Sequence, residues 1–428
     1  MNRTTLSAAR AILLSVGAIS LARADDGATL AQALGQSKPI VDLRFRYEEV
    51  KQVPLLPDAV ALTARARLGV QTGTVWGTSL LAEGNVLVPV IDDYRPDNAS
   101  PYHSKYPLVA DPKEAAVNRL QITNTSLPDT TAILGRQRIN LDDQRFVGAV
   151  GWRQDEQTFD ALRIINHSLG GLTIDATYID RVHRAYGVES PQGAYRGESF
   201  LGNLSYPTPW GRLTGFAYLL DFQPITSFAG LTVAQAAPLN PARTSSNTYG
   251  VRFSGQRVLD VLTLGYTLSY AAQRQRGDNP LTFSNSYGLA EISAGFRGFT
   301  AVVGDEIMQG NGTVGFSTPL ATIHQFDGWA DKFLMTPANG LDNRYAKLNY
   351  QVRSWGRLDL VGLSAIYRSF AAQEFSVSYG AETDLQLTGK WRHCTGSMIF
   401  ADYRASSETP LTLARDTQKF WLQLEYLL

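Results

Sequence analysis

The stretch Val41-Asp-Leu-Arg-Phe-Arg-Tyr-Glu48 alternates apolar and charged side chains without a break. Successive side chains of a β-strand point to opposite faces, so in an extended conformation this stretch has one apolar face and one charged face. The same alternation runs from Leu62 to Gln71, where Arg65 and Arg67 share one face and leucine, alanine and valine share the other. Both segments are therefore predicted to be two-faced strands.

Alternation of this kind recurs in about 18 segments, and strands of about ten residues are long enough to cross a membrane when tilted. Tight turns follow the even-numbered segments, and long polar loops follow the odd-numbered ones. A soluble β-sandwich would also alternate, but short turns at one end and long loops at the other are typical of an outer-membrane barrel. The predicted strands begin near residues 40, 61, 78, 117, 130, 158, 172, 198, 211, 247, 261, 286, 298, 343, 358, 380, 396 and 418.

The predicted fold is therefore all-β, a transmembrane antiparallel β-barrel of about 18 strands with short periplasmic turns and long extracellular loops. Aromatic residues near the strand ends, such as Trp76, Trp210 and Trp355, are expected to form the interfacial girdles of such a barrel. The segment 146–154 is interpreted as loop, because one more strand would break the alternation of turns and loops. Loop 88–116 is expected either to fold inward as a constriction or to be a mobile surface loop.

The first 24 residues have the features of a secretory signal peptide. A basic start with Arg3 and Arg10 precedes an apolar stretch and a small-residue cleavage site that ends at Ala24. We therefore predict a signal peptide at 1–24, a periplasmic N-terminal segment at 25–39 and the barrel at 40–428. Cleavage near Ala24 and insertion of the barrel would place the protein in the outer membrane.

Charge and cysteine content exclude several functions. Basic and acidic side chains balance at 39 each, whereas a nucleic-acid binder is expected to carry a basic excess. The single cysteine, Cys394, rules out a disulfide framework and a multi-thiolate metal site. The five histidines lie far apart in the sequence, so neither a metal nor a cofactor is predicted. The acidic pairs Asp92/Asp93 and Asp142/Asp143 are either calcium ligands in loops or solvated charges.

No nucleophile elbow, phosphate-binding loop or dinucleotide motif is convincing, so the chain is predicted not to be an enzyme. The sequence Asn166-His167-Ser168 contains residue types that hydrolases use, but a catalytic triad is recognised by its geometry. An outer-membrane hydrolase or adhesin is therefore less favoured than the transport functions.

If the apolar face of each strand meets lipid, the charged face lines a lumen, and barrels of about 16–18 strands enclose an aqueous channel. Guanidinium groups bind carboxylates bidentately, so a series of arginines on the inner wall can pass an anion between successive sites. The alternative is that these charges simply face water and pair across strands, as in any porin. The predicted pore-lining residues are Arg44, Arg46, Arg65, Arg67, Arg119, Arg136, Arg138 and Arg163, with Arg181 and Arg252 further along the chain.

Particular motifs resemble the alginate-export outer-membrane porin family. They are Gly135-Arg-Gln-Arg138 followed by Asp142-Asp143, the opening strand 41–48, and the stretch STPLATIHQFDGWADKFLMTPANGL at 317–341. The resemblance covers essentially the whole mature chain. It implies an 18-stranded monomeric barrel whose arginine-lined pore passes an anionic polysaccharide outward. The acids Glu382 and Asp384, predicted on the inner face, depart from a purely basic pore.

The function predicted from these features is an outer-membrane porin that passes anionic poly- or oligosaccharides, such as alginate, by passive diffusion. The alternative is a general diffusion porin for small solutes. The expected partners are outer-membrane lipid and lipopolysaccharide, the anionic saccharide, and an export or uptake protein in the periplasm.

The 317–341 motif lies in a long loop and allows two interpretations. It either contacts substrate or caps the pore, with Trp329 as a stacking platform, or it packs on its own apolar side chains between turn-forming residues. The candidate residues of this loop are His324, Trp329, Asp331 and Lys332.

Overall fold

The computed structural model describes residues 29–54, 57–97, 103–225, 231–375, 377–410, 413 and 415–428. The predicted signal peptide 1–24 and its cleavage site lie outside the described residues. The strands are β1 Lys38–Gln52, β2 Ala59–Gln71, β3 Thr78–Asp93, β4 Glu114–Asn124, β5 Thr130–Gln137, β6 Thr158–Leu169, β7 Leu172–His183, β8 Ala194–Thr208, β9 Gly211–Leu220, β10 Ser246–Leu259, β11 Leu262–Gln275, β12 Ser284–Phe296, β13 Phe299–Met308, β14 Leu341–Trp355, β15 Leu358–Ala371, β16 Ser378–Trp391, β17 Cys394–Ala405 and β18 Thr417–Leu427.

These strands form one antiparallel sheet in which each strand pairs with its sequence neighbours, and β1 pairs with β18 to close the barrel. The predicted fold is confirmed, and the predicted strand starts differ from those observed by at most four residues. The segment 146–154 is loop, as predicted. Glycines at positive φ allow the tightest hairpins, for example Gly170 and Gly171 between β6 and β7.

Helical structure is sparse in the described residues. It comprises α1 (Leu30–Gly35), α2 (Val233–Ala236) and short 3₁₀ segments. A capping box between Thr29 and Gln32 starts α1, and the Gly73 amide after β2 donates to the Ala33 carbonyl at 2.9 Å. The helix α1 is thus held at the short-turn end of the barrel. Among the described residues, no helix has the length and hydropathy needed to cross a membrane.

The outer face of the wall is apolar, and the rim at the short-turn end carries indole rings. Outward side chains such as Phe45, Leu204 and Leu422 are more than half exposed, which is costly in water but favourable in hydrocarbon. Trp76, Trp210, Trp355 and Trp391 lie at the short-turn end with their rings exposed, in agreement with the predicted girdle. The outer surface is therefore suited to a lipid bilayer.

Two long loops fold into the barrel and pack on the apolar residues of its inner wall. We call residues 138–157 the first inward loop and residues 309–340 the second inward loop. Phe146 of the first loop packs on Phe216 and Tyr287 of the wall, with ring centroids 5.0 and 5.1 Å apart. Phe333 of the second loop packs on Phe370 at 4.5 Å. Aromatic packing thus holds both loops against the inner wall.

The loop predicted at 88–116 is shorter than expected, since β3 extends to Asp93 and β4 begins at Glu114. In its described part, Val109 packs with Val50 and Ala59 of the wall, and Asp111 accepts a hydrogen bond from Thr63 Oγ1 at 3.1 Å. This part of the loop therefore lies on the wall beside β1 and β2, and the centre of the lumen is filled by the two inward loops.

Candidate functional site

The arginines of β1 and β2 hold the first inward loop by its backbone. Arg44 Nη1 donates to the carbonyls of Gly151, Trp152 and Arg153 at 3.1 to 3.3 Å. Arg46 donates to the Trp152 carbonyl, and its guanidinium lies 5.2 Å from the Trp152 ring. Guanidinium donors are strong partners for carbonyl groups that turn away from regular secondary structure. We call Arg44, Arg46 and the bound carbonyls 151–153 the arginine clamp.

The same wall also carries internal ion pairs. Arg44 pairs with Glu425 at 2.6 Å, and Arg65 pairs with Asp42. Arg67 contacts Glu156 of the first inward loop at 3.1 Å, and its Nη2 donates to the Gln154 carbonyl at 3.1 Å. The predicted basic wall is therefore neutralised by acids of the chain itself.

The remaining predicted arginines divide between the two faces of the wall. Arg119 forms a two-point pair with Glu83 at 2.9 and 2.6 Å, and Arg138 binds Glu156 at 2.6 Å. Arg163 pairs with Asp175, with Nε to Oδ1 at 3.0 Å. These three side chains lie on the lumen side of the wall.

Arg136 differs from the expectation. Its register partner on β4 is Leu120, which is 58% exposed on the outer face, and its partner on β6 is Asp160 at 2.8 Å. Arg136 Nη1 donates to the Val117 carbonyl at 2.9 Å, in a part of β4 that has no pairing with β5. Its alternation with Gln137, which points inward and bonds the Ala161 carbonyl, places Arg136 outside the lumen.

The second inward loop is anchored by buried charges on the opposite wall and on the first loop. Arg145 is fully buried and pairs with Glu306 of β13 at 2.5 Å and with Asp327 at 3.2 Å. Arg368 of β15 donates to the Phe326 and Gln325 carbonyls at 2.6 and 3.1 Å. Because a buried charge is costly without a partner, each of these contacts favours the docked loop.

Where the two inward loops meet, the motif residues form a network. His324 Nδ1 lies 2.8 Å from Asp331 Oδ1, and Asp331 also pairs with Arg153 at 2.8 Å and with Lys419 of β18 at 2.6 Å. The His324 ring stacks on Trp152, with centroids 3.4 Å apart and planes at 12°. Both loops and the wall therefore share one carboxylate.

The charge states in this network follow from burial and neighbouring charges. Burial lowers the pKa of His324 to about 4, so the neutral ring donates its Nδ1 hydrogen to Asp331. Burial on its own would raise the pKa of Asp331, but Lys419, His324 and Arg153 hold it well below its usual range. Burial, with Glu306 nearby, raises the pKa of Asp327 to about 7 against the opposing charge of Arg145.

The other motif residues also lie inside the barrel. Trp329 stacks near His324, with centroids 6.2 Å apart. Lys332 Nζ donates to the Arg415 carbonyl at 3.0 Å and to Thr417 Oγ1 at 3.2 Å. Burial lowers the pKa of Lys332 to about 8. The loop packs on itself and on the wall, which is the structural interpretation of the motif.

Four residues central to this arrangement were missed by sequence reasoning: Arg145, Arg153, Arg368 and Lys419. Arg368 and Lys419 lie on strands, and their alternation with outward neighbours was a signal that could have placed them in the lumen. Arg145 and Arg153 belong to a loop, where no periodicity indicates which way a side chain points.

Among the described residues, a space lies at each end of the barrel. At the long-loop end, a cavity of about 350 Å³ lies between the loops and is lined by Arg153, Arg184, Tyr186, Tyr195 and Arg243, among others. At the short-turn end, a space of about 850 Å³ is lined by polar wall residues. They include Thr263, Ser293, Asn349, Gln351, Gln386 and Thr388.

The other chemical candidates from the sequence do not assemble into sites. Asp143 pairs with Arg252 at 2.9 Å, and Asp142 accepts from Asn203 at 2.9 Å. His167 contacts Thr173 at 3.0 Å, at the exposed turn end of β6. Within the described residues, no group of three or more histidine, cysteine or acidic side chains is placed to bind a metal ion.

The fold and its outer surface define a membrane-spanning β-barrel, and the same architecture occurs in solved structures. The chain is similar to Pseudomonas aeruginosa OccK11 (OpdR), with a TM-score of 0.65 and 14% identity over 92% of this chain and 97% of that chain. P. aeruginosa OpdK, solved with vanillate, is similar with a TM-score of 0.65 and 15% identity over 92% of this chain and 99% of that chain. Acinetobacter baumannii OccAB2 is similar with a TM-score of 0.68 and 14% identity over 91% of this chain and 98% of that chain.

No family model matches the chain, and no curated protein matches it in sequence. The resemblance to the alginate-export family was wrong, because the structural neighbours are barrels of the OccK and OpdK type. At these identities the shared feature is the fold, which is that of an outer-membrane barrel. The predicted outer-membrane location agrees with it.

Proposed function

We propose that this protein is an outer-membrane channel through which small solutes diffuse passively. The observation that carries the proposal is the docking of two long loops inside the barrel, beside cavities of about 350 and 850 Å³. Volumes of this size suit single small molecules. A polymer chain would need a continuous bore, which the loops occupy, so the small-solute alternative is favoured over passage of a polysaccharide.

We further propose that small organic anions are the preferred solutes. Arg184 and Arg243 line the cavity at the long-loop end and form no ion pair with a described residue. The Arg184 guanidinium lies 4.2 Å from the Tyr195 ring and 5.0 Å from the Tyr186 ring, so cation and aromatic surfaces are adjacent. The similar OpdK was solved with vanillate, an aromatic carboxylate, which makes vanillate a suitable probe.

Solute flux into liposomes tests the size limit. With the purified protein in the membrane, arabinose and vanillate are expected to enter readily, whereas a long neutral glucan is excluded. Entry of the glucan at the rate of arabinose would contradict the small-solute channel.

Ion selectivity tests the preference for anions. In planar bilayers under a salt gradient, the wild-type reversal potential is expected to indicate anion selectivity. The double variant Arg184→Gln with Arg243→Gln should move that potential toward zero. The control Arg257→Gln removes an arginine that binds the Pro209 carbonyl at the short-turn end. This variant should leave the reversal potential unchanged. Equal potentials in all three proteins would refute the role of the two arginines.

A further inference from the structure

Four neighbouring strands carry one row of charged side chains on the outer wall, near the long-loop end. The register pairs Arg136 with Asp160, Asp160 with Arg181, and Arg181 with Arg196. The next row toward the short-turn end is apolar and aromatic, so the charged row marks the edge of the apolar belt. That next row consists of Leu134, Leu162, Tyr178 and Phe200.

The outward direction of Arg181 results from irregularities in the strand pairing. The register shifts between Ile179 and Arg181 on β7 and between Asp160 and Ala161 on β6. Ile179 and Val182 are 1% and 0% exposed within the lumen core, so the two residues between them point away from the lumen. Arg181 was predicted to line the pore, and this bulge places it on the outer wall instead.

The charges of this row are unevenly compensated. Asp160 is already shared by Arg136 and His183, each at 2.8 Å. Arg181 and Arg196 lie directly opposite each other, and like charges in that position destabilise a sheet. Neither guanidinium has an ion pair or hydrogen bond with a described residue, and Arg181 Nε is buried without a partner. An anion between the two arginines would supply the missing partner.

Two carboxylates lie near the arginine pair along the chain. Asp180 and Glu198 are exposed, and neither forms an ion pair with Arg181 or Arg196 among the described residues. They occupy the level between the arginines and the aromatic pair Tyr178 and Phe200, whose ring centroids are 5.2 Å apart. The arginine pair therefore remains the part of the row with unsatisfied positive charge.

We propose that Arg181 and Arg196 bind a phosphate group of an outer-leaflet glycolipid whose acyl chains lie on the apolar row beneath. Guanidinium groups match phosphate bidentately, and a headgroup phosphate lies at the edge of the hydrocarbon, where this pair is found. The exposed side chains of Phe200 and Leu204, 43% and 52% accessible, provide surface for the acyl chains. The site depends on the barrel spanning the membrane and not on which solute the lumen carries.

The test is a titration of the purified protein with diphosphorylated lipid A, followed by intrinsic fluorescence and by native mass spectrometry. Each basic side chain near an anionic lipid surface contributes roughly fivefold to binding, so the double variant Arg181→Gln with Arg196→Gln should bind about 30-fold more weakly. The control Arg274→Gln removes an exposed outward arginine at the long-loop end of β11 and should bind as the wild type does.

Two further probes identify the chemistry of the ligand. The dephosphorylated glycolipid should bind as weakly to the wild type as lipid A binds to the double variant, and inorganic phosphate alone should give no shift. Equal binding of the dephosphorylated lipid, a full response to inorganic phosphate, or unchanged affinity of the double variant would each overturn the proposal. Solute flux serves as the folding check, because it should be the same in the double variant and the wild type.

Discussion

At the scale of residues, arginine in this barrel acts mainly on the chain itself. The inner-wall arginines that looked like an anion track bind backbone carbonyls at 151–154 and acids such as Glu425 and Glu156. A guanidinium has five donors in a fixed fork, which lets one side chain satisfy several carbonyls of an irregular loop. Arginine content alone therefore does not measure the charge that a solute meets.

The pH dependence of loop docking is expected to depend on His324. Its pKa is about 4 in the docked loop against an ordinary value of 6.5, so an undocked loop takes up the proton first as pH falls. The contribution of His324 to docking is complete above pH 6.5 and is lost as pH falls toward 4, by up to about 3 kcal/mol. Single-channel recordings of Asp327→Asn, which lacks the oppositely titrating carboxyl of Asp327, should show more time in a wider state at pH 4.5 than at pH 7.5.

Two variants separate His324 from its surroundings. In His324→Gln, the loss of docking free energy that protonation of His324 causes at acid pH should disappear. Titration of Asp327 changes the free energy of loop docking in the opposite direction. Its pKa is raised to about 7, so protonation below that pH favours the docked loop. The wild type should therefore widen less than Asp327→Asn between pH 7.5 and pH 4.5, because the two groups offset each other. The same pH profile in His324→Gln and the wild type would show that His324 is not the titrating group.

At the scale of elements, the β-strands are local structures, whereas the inward loops depend on distant contacts. Arg145 meets Glu306 across 161 residues of sequence, and Arg368 meets the Phe326 carbonyl across 42. Alternation along a strand predicts which residues share a face, but a bulge reverses the assignment beyond it. Arg181 was placed on the wrong face for this reason.

Breaking the arginine clamp is expected to release the first inward loop. Arg44→Ala with Arg46→Ala removes the donors to the carbonyls of 151–153. Each hydrogen bond from a charged group contributes about 1.5–3 kcal/mol, so docking should weaken by more than about 3 kcal/mol. Limited trypsin digestion should then cut after Arg145 or Arg153, which are buried in the wild type.

The matched control for the clamp is Arg163→Ala. Arg163 pairs with Asp175 on the neighbouring strand and forms no hydrogen bond or ion pair with the first inward loop, so this variant should stay resistant at Arg145 and Arg153. If the clamp variant is equally resistant, the loop is held by its aromatic packing around Phe146 and the arginines are not needed for docking.

At the scale of the whole molecule, closure of the barrel makes β18 essential. Its register runs from Asp42↔Leu427 to Gln52↔Thr417 with β1 and from Cys394↔Tyr426 to Tyr403↔Thr417 with β17. Without it, the unpaired groups of β1 and β17 would face hydrocarbon, at several kcal/mol each.

Deletion of Thr417 to Leu428 should therefore abolish the folded, heat-modifiable form on semi-native gels. Deletion of Leu428 alone, which removes one hydrogen bond to the Val41 carbonyl, should preserve that form. A heat-modifiable band from the longer deletion would show that the remaining strands close by themselves.

The sequence by itself determined the number of strands, their approximate starts, the order of turns and loops, and the apolar outer face. These features arise from a two-residue period and from turn chemistry, both of which act between residues close in the chain. The tertiary structure decided which loops fill the lumen, which arginines are neutralised there, and which of them face outward at Arg136 and Arg181. Those outcomes depend on side chains far apart in sequence that meet in space, and on bulges that change the face of a strand. A pattern of residue types specifies neither these long-range contacts nor the positions of the bulges.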